Sequence, residues 1–124
     1  MPESANPLLD DRDVDFLLHD VLAVTRLTEL PAFAEHSRAT FDILLQTTRR
    51  LAREVLFPAY RAMDSSPPTF ESGRVRVHPV MHTIYPRLVD LGLINATRPA
   101  EVGGSRLPLT LHTMALAYLL AANL

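Results

Sequence analysis

The stretch from Ser37 to Met63, SRATFDILLQTTRRLAREVLFPAYRAM, carries the clearest structural signal in this chain of 124 residues. Its apolar side chains recur at steps of three and four residues, the spacing that lines one face of an α-helix. That face comprises Phe41, Leu44, Leu45, Thr48, Leu51, Ala52, Val55 and Leu56. Ser37 is placed to cap the helix, and Pro58 predicts a kink or an end near Leu56. The stretch therefore predicts a long core helix.

Three arginines of this stretch project from the side opposite the apolar face: Arg49, Arg50 and Arg53. They form either a basic patch for a charged partner or a solvated helix surface. We expect the solvated surface, because charged residues usually occupy the outer side of an amphipathic helix.

Shorter helical segments precede this stretch. Residues 1–9 indicate an irregular lead-in, after which Asp10 or Asp11 caps a helix whose acidic start suits the positive end of the helix dipole. One face of that helix holds Val14, Leu17, Leu18, Val21 and Leu22. A second short helix is predicted over Thr25–Leu30, because the residue before a proline such as Pro31 avoids helical angles.

Residues 64–79, which end in PPTFESGRVRVHP, interrupt the helical pattern with adjacent prolines and Gly73. The RVRV string alternates like a strand, but one strand cannot form a sheet, so we expect an extended connector within one long loop. Pro79 then begins another helix with His78 just outside it, and Gly92 is expected to end that helix. The buried side of the helix is formed by Val80, Ile84, Leu88 and Leu91.

The last helix is predicted over residues 108–123, PLTLHTMALAYLLAAN. One face is formed by Leu111, Met114, Ala115, Tyr118, Leu119 and Ala122. The remaining positions include Leu116, Leu120 and Ala121, so almost no polar face is left, and we expect such a helix to be covered on every side. Because the sequence ends one residue later, we expect a segment truncated at its C-terminal end, which forms a homo-oligomer or swaps elements with a partner when alone.

Length and composition favour one soluble domain, since 48% of the residues are hydrophobic and 21% are charged. A net charge of -2 argues against nucleic acid or an anionic membrane as the main partner. The chain has no cysteine, its N-terminus is unlike a signal peptide, and no apolar run is long enough to span a membrane. We therefore predict a cytoplasmic, all-α, up-and-down helical bundle with one long loop at about residues 64–79.

No residue pattern points directly to a catalytic or metal site. His78 and His82 have the four-residue spacing of paired ligands, but Pro79 separates them, so surface or capping roles are expected. The other histidines stand alone in the sequence and are expected to be hydrogen-bonded structural residues: His19, His36 and His112. No G-x-S-x-G or phosphate-loop pattern occurs, and the Gly103–Gly104 pair follows a helix rather than a strand.

Two strings near the C-terminus define a characteristic order of segments: LVDLGLINATRPAEVGG (Leu88–Gly104) and LPLTLHTMALAYLLAAN (Leu107–Asn123). An apolar helix ends in a leucine-glycine turn, and a loop with a proline, a glutamate and paired glycines leads to a long helix. This order resembles the N-terminal helical domain of the acyl-CoA dehydrogenases. The matching residues are Leu91, Gly92, Leu93, Pro99, Glu101, Gly103 and Gly104.

Two further strings extend the resemblance over nearly the whole chain. RRLAREVLFPAYRAMD (Arg49–Asp64) resembles an early helix of the family. NPLLDDRDVDFLLHDVL (Asn6–Leu22) is similar to the extra N-terminal helix of a bacterial subgroup that includes dehydrogenases acting on 3-methylmercaptopropionyl-CoA. The resemblance thus implies an N-terminal extension at residues 1–36 and a family domain at residues 37–124.

The loop departs from the family pattern at two positions. Val102 stands where the family has an aromatic residue, and Arg106 stands where a further glycine is usual. Gly103 and Gly104 are still expected to fold the connection tightly between packed helices, because glycine permits positive φ and close backbone approach. Glu101 is expected to accept backbone N–H bonds across that turn. A turn without cofactor contact is favoured over direct contact with a cofactor.

The resemblance implies an FAD-dependent enzyme that introduces an α,β double bond into an acyl-CoA thioester. In that family FAD accepts a hydride, a glutamate removes the α proton, and the electrons pass to an electron-transfer acceptor. The flavin and the glutamate belong to a middle β domain and C-terminal helices. The resemblance therefore assigns this chain no catalytic, cofactor-binding or metal residue, no bound FAD and no activity alone.

A second class of function stays open: a stand-alone helical interaction subunit that docks on a partner through its apolar C-terminal helix. A DNA-binding helical module is disfavoured by the acidic charge balance. A reading frame that continues past Leu124 into a β domain would favour the enzyme domain over the subunit.

Overall fold

The structure, a computed structural model, describes residues 9–123. The irregular lead-in predicted for residues 1–9 falls, apart from Leu9, outside the described residues. The described chain is mostly helical, as predicted, with helices α1 (Asp11–Asp15), α2 (Arg38–Leu51), α3 (Phe57–Ser65), α4 (Met81–Asp90) and α5 (Leu109–Ala122). Two π-helical segments span Phe16–Val21 and Ala52–Leu56, and 3₁₀ turns span Val24–Glu29, Pro31–Phe33 and Ala100–Val102.

The N-terminal helix is capped by Asp10, whose carboxylate accepts the backbone N–H of Arg12 at 2.8 Å. Val14 and Leu18 are buried, whereas the other three residues of the predicted apolar face are exposed: Leu17, Val21 and Leu22. That part of the prediction is wrong because the chain leaves α-helical geometry after Asp15. A π-helix bonds each residue to the fifth one along, so its side chains rotate away from the α-helical positions.

The predicted long helix begins at the predicted cap. Ser37 and Thr40 form a capping box, in which each side chain accepts the other residue's backbone N–H. Near Leu56, where a kink or an end was predicted, the helix does not end: it passes through the π-helical segment into α3, with Pro58 in the first turn of α3. In a regular α-helix the proline ring would clash with the carbonyl four residues earlier, and the π-helical turn relieves that constraint.

The long loop predicted at residues 64–79 is wrong, because this segment contains a β-hairpin. Helix α3 reaches Ser65, and β1 (Thr69–Glu71) pairs antiparallel with β2 (Arg74–Arg76). Ser72 and Gly73 both have positive φ, of 51° and 75°, as a two-residue turn between twisted strands requires. The RVRV string therefore contributes a paired strand, Arg74–Arg76, rather than an extended connector. The described fold is mostly helical with a small two-stranded sheet, rather than all-α.

The core lies between α2, the π-helical segment Ala52–Leu56 and α5, and α5 packs against both of the others. The predicted inner faces of α2 and α5 are confirmed, with fully buried side chains at Phe41, Leu45, Leu111 and Tyr118. The N-terminal extension contributes to the same core through Val14, Leu18 and Val24. Within residues 9–123, no helix is both long and apolar enough to cross a membrane.

Helix α4 begins at Met81, two residues after the predicted Pro79, and buries Ile84. His78 lies outside the helix, where its Nδ1 accepts the N–H of Val80 at 3.1 Å. The helix also accommodates Pro86, which the sequence pattern did not single out.

Candidate functional site

The loop that carries the family resemblance begins where α4 ends. Gly92 has φ of 75°, and its N–H donates to the carbonyl of Val89 at 2.9 Å. Helices commonly end at a residue in the left-handed conformation, and that residue is usually a glycine. The predicted end of the helix at Gly92 is therefore confirmed. The chain then buries Leu93 and Ala96 against the core, while Pro99 starts the 3₁₀ turn as its N-terminal cap.

Gly103 and Gly104 meet two different requirements. Gly103 ends the 3₁₀ turn with φ of 80°, a conformation that L side chains rarely adopt. Gly104 instead packs directly against the Arg98 backbone, and a Cβ at position 104 would overlap the Arg98 carbonyl. The pair thus combines a left-handed turn with a close backbone approach, as the sequence predicted for these residues.

The loop closes on itself through its own backbone. The carbonyl of Ala96 accepts the N–H groups of Ser105 at 3.1 Å and Leu107 at 2.8 Å, and Arg98 accepts that of Arg106 at 3.0 Å. Arg106 has φ of 51°, so a non-glycine residue occupies a left-handed position. The loop therefore reaches α5 by a fixed, hydrogen-bonded path.

Glu101 does not make the predicted bonds to backbone N–H groups. Its Oε1 lies 3.3 Å from Nη2 of Arg106, and both side chains are exposed. An exposed ion pair contributes little to stability. The expectation failed because the turn's N–H groups are already bonded to nearby carbonyls of the same loop.

Two histidines anchor this loop to the helices around it. His36 Nε2 lies 2.8 Å from the carbonyl of Ser105, and His112 Nε2 lies 3.1 Å from that of Leu93. A carbonyl only accepts, so each Nε2 carries a proton. Both are structural, hydrogen-bonded histidines, as predicted. His19 Nε2 lies 3.3 Å from Asp42 Oδ1.

The glycine loop does not fit a phosphate group such as the flavin pyrophosphate. A phosphate cradle needs backbone N–H groups that point outward without a partner. The N–H of Gly103 donates to Ala100 and that of Gly104 to Pro99, each at 3.0 Å. No step of flavin chemistry is therefore assigned to this loop. Among residues 9–123, no group of three or more histidine, aspartate or glutamate side chains forms a potential metal site.

Leu91 of the loop motif also lines a groove between α2 and α4, with a volume of about 260 Å³. Two arginines and two acidic residues line the same groove: Arg50, Arg87, Glu54 and Asp90. The formal charges of these four groups sum to zero.

A network of charged groups joins the N-terminal extension to the core. Arg53 Nη2 donates to Asp11 Oδ1 at 2.6 Å, and the Tyr118 hydroxyl donates to the same oxygen at 2.9 Å. Arg49 donates through Nε to the Tyr118 oxygen at 2.8 Å and through Nη2 to Asp15 at 2.6 Å. The predicted solvated surface is thus wrong for Arg49 and Arg53, whose side chains are largely covered.

Sequence reasoning missed this network, although a spacing signal was present. Asp11 and Asp15 lie four residues apart, as do Arg49 and Arg53, so each pair occupies one face of its helix. Two opposite-charge pairs of equal spacing are complementary. Their partnership still depends on how two distant helices pack, which spacing alone does not specify.

Burial and hydrogen bonding shift the ionisation of this network. For Asp11, burial alone would raise the pKa, but bonds from Arg53 and Tyr118 and the nearby guanidinium charges hold the pKa below 3.8. Burial and the bond to Asp11 raise the pKa of Tyr118 from 10.0 to about 12. For Arg49, bonds to Asp15 and Tyr118 outweigh burial and raise the pKa.

A late tyrosine ionisation is the expected signature of this geometry. We expect a spectrophotometric titration of the folded chain to show a transition near pH 12 that Tyr118→Phe removes. Because the folded-state pKa is raised, the proton on Tyr118 stabilises the fold fully below pH 10, and this contribution is lost as the pH rises through about 12. If Tyr118→Phe instead removes a transition near pH 10, the hydroxyl is not held in the network.

No protein-family model matches this chain, and no curated protein is significantly similar to it. Any assignment of this chain to a class of protein must therefore be argued from the geometry of its loop and helices and from the resemblance in its sequence.

Proposed function

We propose that this chain is the N-terminal helical domain of an FAD-dependent acyl-CoA dehydrogenase, with its helices arranged as an up-and-down bundle. The supporting observation is the backbone of the loop between α4 and α5. Gly92, Gly103 and Gly104 each occupy a position that favours glycine, and Arg106 has positive φ where the family usually has a further glycine. The departure at Arg106 thus keeps a glycine-like backbone despite the changed side chain.

In this proposal the complete enzyme is cytoplasmic. The 124-residue chain is a scaffold within it and does not carry out the catalysis. The acyl-CoA substrate, FAD and the electron-transfer acceptor are bound by other segments of the complete protein. Glu71 forms an ion pair with Arg76 in the hairpin, and Glu101 forms one with Arg106. Glu54 lines the groove between α2 and α4. None of the three is proposed as the base that removes the α proton.

The test compares the chain of residues 1–124 with the product of the complete reading frame. We expect the complete protein to purify with FAD, and an acyl-CoA thioester to bleach its visible flavin absorbance. The 124-residue chain should bind no flavin and should not reduce a dye acceptor with acyl-CoA. A reading frame that encodes no flavin domain, or a complete protein without flavin, would refute the proposal. A yellow, active 124-residue chain would refute the scaffold role.

A second candidate function is a helical interaction subunit, and it is favoured by the outer surface of α5. Leu109 and Leu120 on this surface are 69% and 53% exposed. A stop codon directly after Leu124, together with the absence of flavin, would favour this function over the enzyme domain.

A further inference from the structure

Three donor side chains of the core converge on one carboxylate oxygen of the N-terminal extension. Arg53 Nη2 and the Tyr118 hydroxyl donate to Oδ1 of Asp11 at 2.6 and 2.9 Å. Nε of Arg49 lies 3.4 Å from the same oxygen. We call Arg49, Arg53 and Tyr118 the donor cluster. Guanidinium groups and a hydroxyl gathered around one point are groups with which proteins bind carboxylates and other oxoanions.

The acidic partners of the donor cluster all come from the extension. Its arginines lie on α2 and the π-helical segment Ala52–Leu56, and its tyrosine lies on α5, so the core alone builds the cluster. Among residues 9–123, these two arginines form ion pairs with Asp11 and Asp15 and with no acidic residue of the core. The core therefore carries an oxoanion site whose occupant is supplied by a separate segment of the chain.

Asp11 fills this site incompletely. A guanidinium is a rigid fork whose Nε and Nη2 hydrogens point in the same direction, so the two oxygens of one carboxylate can accept both. Asp11 accepts from Nη2 of Arg53 through Oδ1, whereas Nε of Arg53 is buried and has no hydrogen-bond partner among the described residues. A buried donor without an acceptor is costly. A carboxylate that is not tethered to α1 is free to turn and meet both donors.

Asp11 is also placed where exchange with another carboxylate requires little rearrangement. It is the first residue of α1, a helix of five residues, and its side chain is 33% exposed. Helix ends fray more readily than helix interiors. The donor cluster, in contrast, lies on helices that pack together in the core. Fraying of the first turn of α1 therefore uncovers the site without disturbing the residues that form it.

We infer that the donor cluster is a binding site for a small carboxylate ligand, and that Asp11 is its intramolecular occupant. The ligand takes the place of the Asp11 carboxylate, with its two oxygens bonded to Nε and Nη2 of Arg53 and one of them to the Tyr118 hydroxyl. Its binding releases the first turn of the extension. Because a tethered group competes at an effective concentration of about the millimolar range, a weak ligand occupies the site only when Asp11 is removed.

This inference does not depend on the assignment as an enzyme domain. Flavin in the complete protein tests that assignment, whereas carboxylate binding by residues 1–124 tests the donor cluster. Either result can fail while the other holds.

Removing the occupant opens the site to a probe. Asp11→Ala deletes the carboxylate and keeps Cβ, so the space that is left suits formate, the smallest carboxylate. We expect formate to raise the urea midpoint of Asp11→Ala with saturation and to recover at least about half of the loss, which sodium chloride of equal ionic strength does not. If Asp11→Ala is unfolded in buffer, formate should restore its helix content in circular dichroism and chloride should not.

The unmodified chain is the first control, because Asp11 already occupies the site. Its urea midpoint should respond to formate and chloride alike. An equal response of Asp11→Ala to both salts, or an equal formate gain in the unmodified chain, would overturn the inference.

Two further variants locate the bound formate. Adding Arg53→Ala to Asp11→Ala removes the fork, so the formate gain should disappear. Leu18→Ala loosens the same extension by deleting a buried apolar side chain while Asp11 is retained, so it should respond like the unmodified chain. In NMR spectra of Asp11→Ala, the Nε–Hε resonance of Arg53 should shift with the same saturation as the urea midpoint. A gain that survives Arg53→Ala, or an Nε–Hε resonance that does not move, would contradict binding at the donor cluster.

Discussion

Replacing Gly104 by alanine is expected to lower the free energy of unfolding by about 3 kcal/mol or more. The added methyl group would overlap the Arg98 backbone, including its carbonyl, and backbone cannot move aside as the end of a flexible side chain does. Relieving the overlap means opening the loop. The carbonyls of Ala96 and Arg98 would then lose the bonds that bring Ser105, Arg106 and Leu107 back to the core.

The neighbouring glycine supplies the matched control. A Cβ at Gly103 meets no atom within 4 Å, so Gly103→Ala costs only the left-handed conformation, about 1–2 kcal/mol. Gly103→Asn should cost less, because asparagine tolerates that conformation better than alanine does. Urea unfolding followed by circular dichroism measures all three variants. Equal losses for Gly103→Ala and Gly104→Ala would show that conformation, and not the Arg98 contact, accounts for both glycines.

These two residues also show where sequence reasoning succeeds and where it stops. The glycine pair predicted a tight connection between helices, and local chemistry was enough for that. Which glycine has positive φ and which packs against backbone depends on the path of the chain back to Ala96 and Arg98. The sequence contains no local signal that distinguishes them.

The other successful predictions were equally local. The cap at Ser37, the stop at Gly92 and the inner face of α5 each follow from residues within a few positions of one another. Helical periodicity and capping act over one or two turns, so a single sequence contains the information needed to recognise them.

The predictions that failed concern features that depend on contacts distant in the sequence, or on small energy differences between alternative backbone conformations. Three-residue strands leave little periodicity to detect, and the pairing of Thr69–Glu71 with Arg74–Arg76 depends on a Ser72–Gly73 turn that lacks the usual asparagine or aspartate. The π-helical segments have no reliable sequence signature. The segment Phe16–Val21 leaves Leu17, Val21 and Leu22 exposed, although α-helical spacing predicts them on the buried face.

The network around Asp11 was the largest omission, and its removal is the second large effect we expect. Asp11→Ala should lower the free energy of unfolding by about 2 kcal/mol, less than the 3–5 kcal/mol of a fully buried pair and more than an exposed pair. Asp11 accepts bonds from Arg53 and from Tyr118, and the alanine leaves both donors partly covered by protein without this acceptor. The effect should be measured by urea unfolding at pH 7.

Asp13 provides the control within the same helix, because its side chain is an exposed carboxylate in the first turn of α1. Asp13→Ala should change stability by no more than about 0.5 kcal/mol. The difference in the free energy of unfolding between Asp11→Ala and the unmodified chain should also depend on pH. Since the network holds the pKa of Asp11 below 3.8, its contribution is complete above that pH and is lost as the pH falls through the folded-state pKa.

A double-mutant cycle separates the contact between Asp11 and Arg53 from general loss of packing. Asp11→Ala and Arg53→Ala should be strongly non-additive, with a coupling free energy of at least about 1 kcal/mol. Additive losses would mean that the carboxylate and the guanidinium act independently. The contact with Arg53 would then not hold the N-terminal extension, which would depend on its other contacts: the apolar burial of Val14, Leu18 and Val24 and the bond from Arg49 to Asp15.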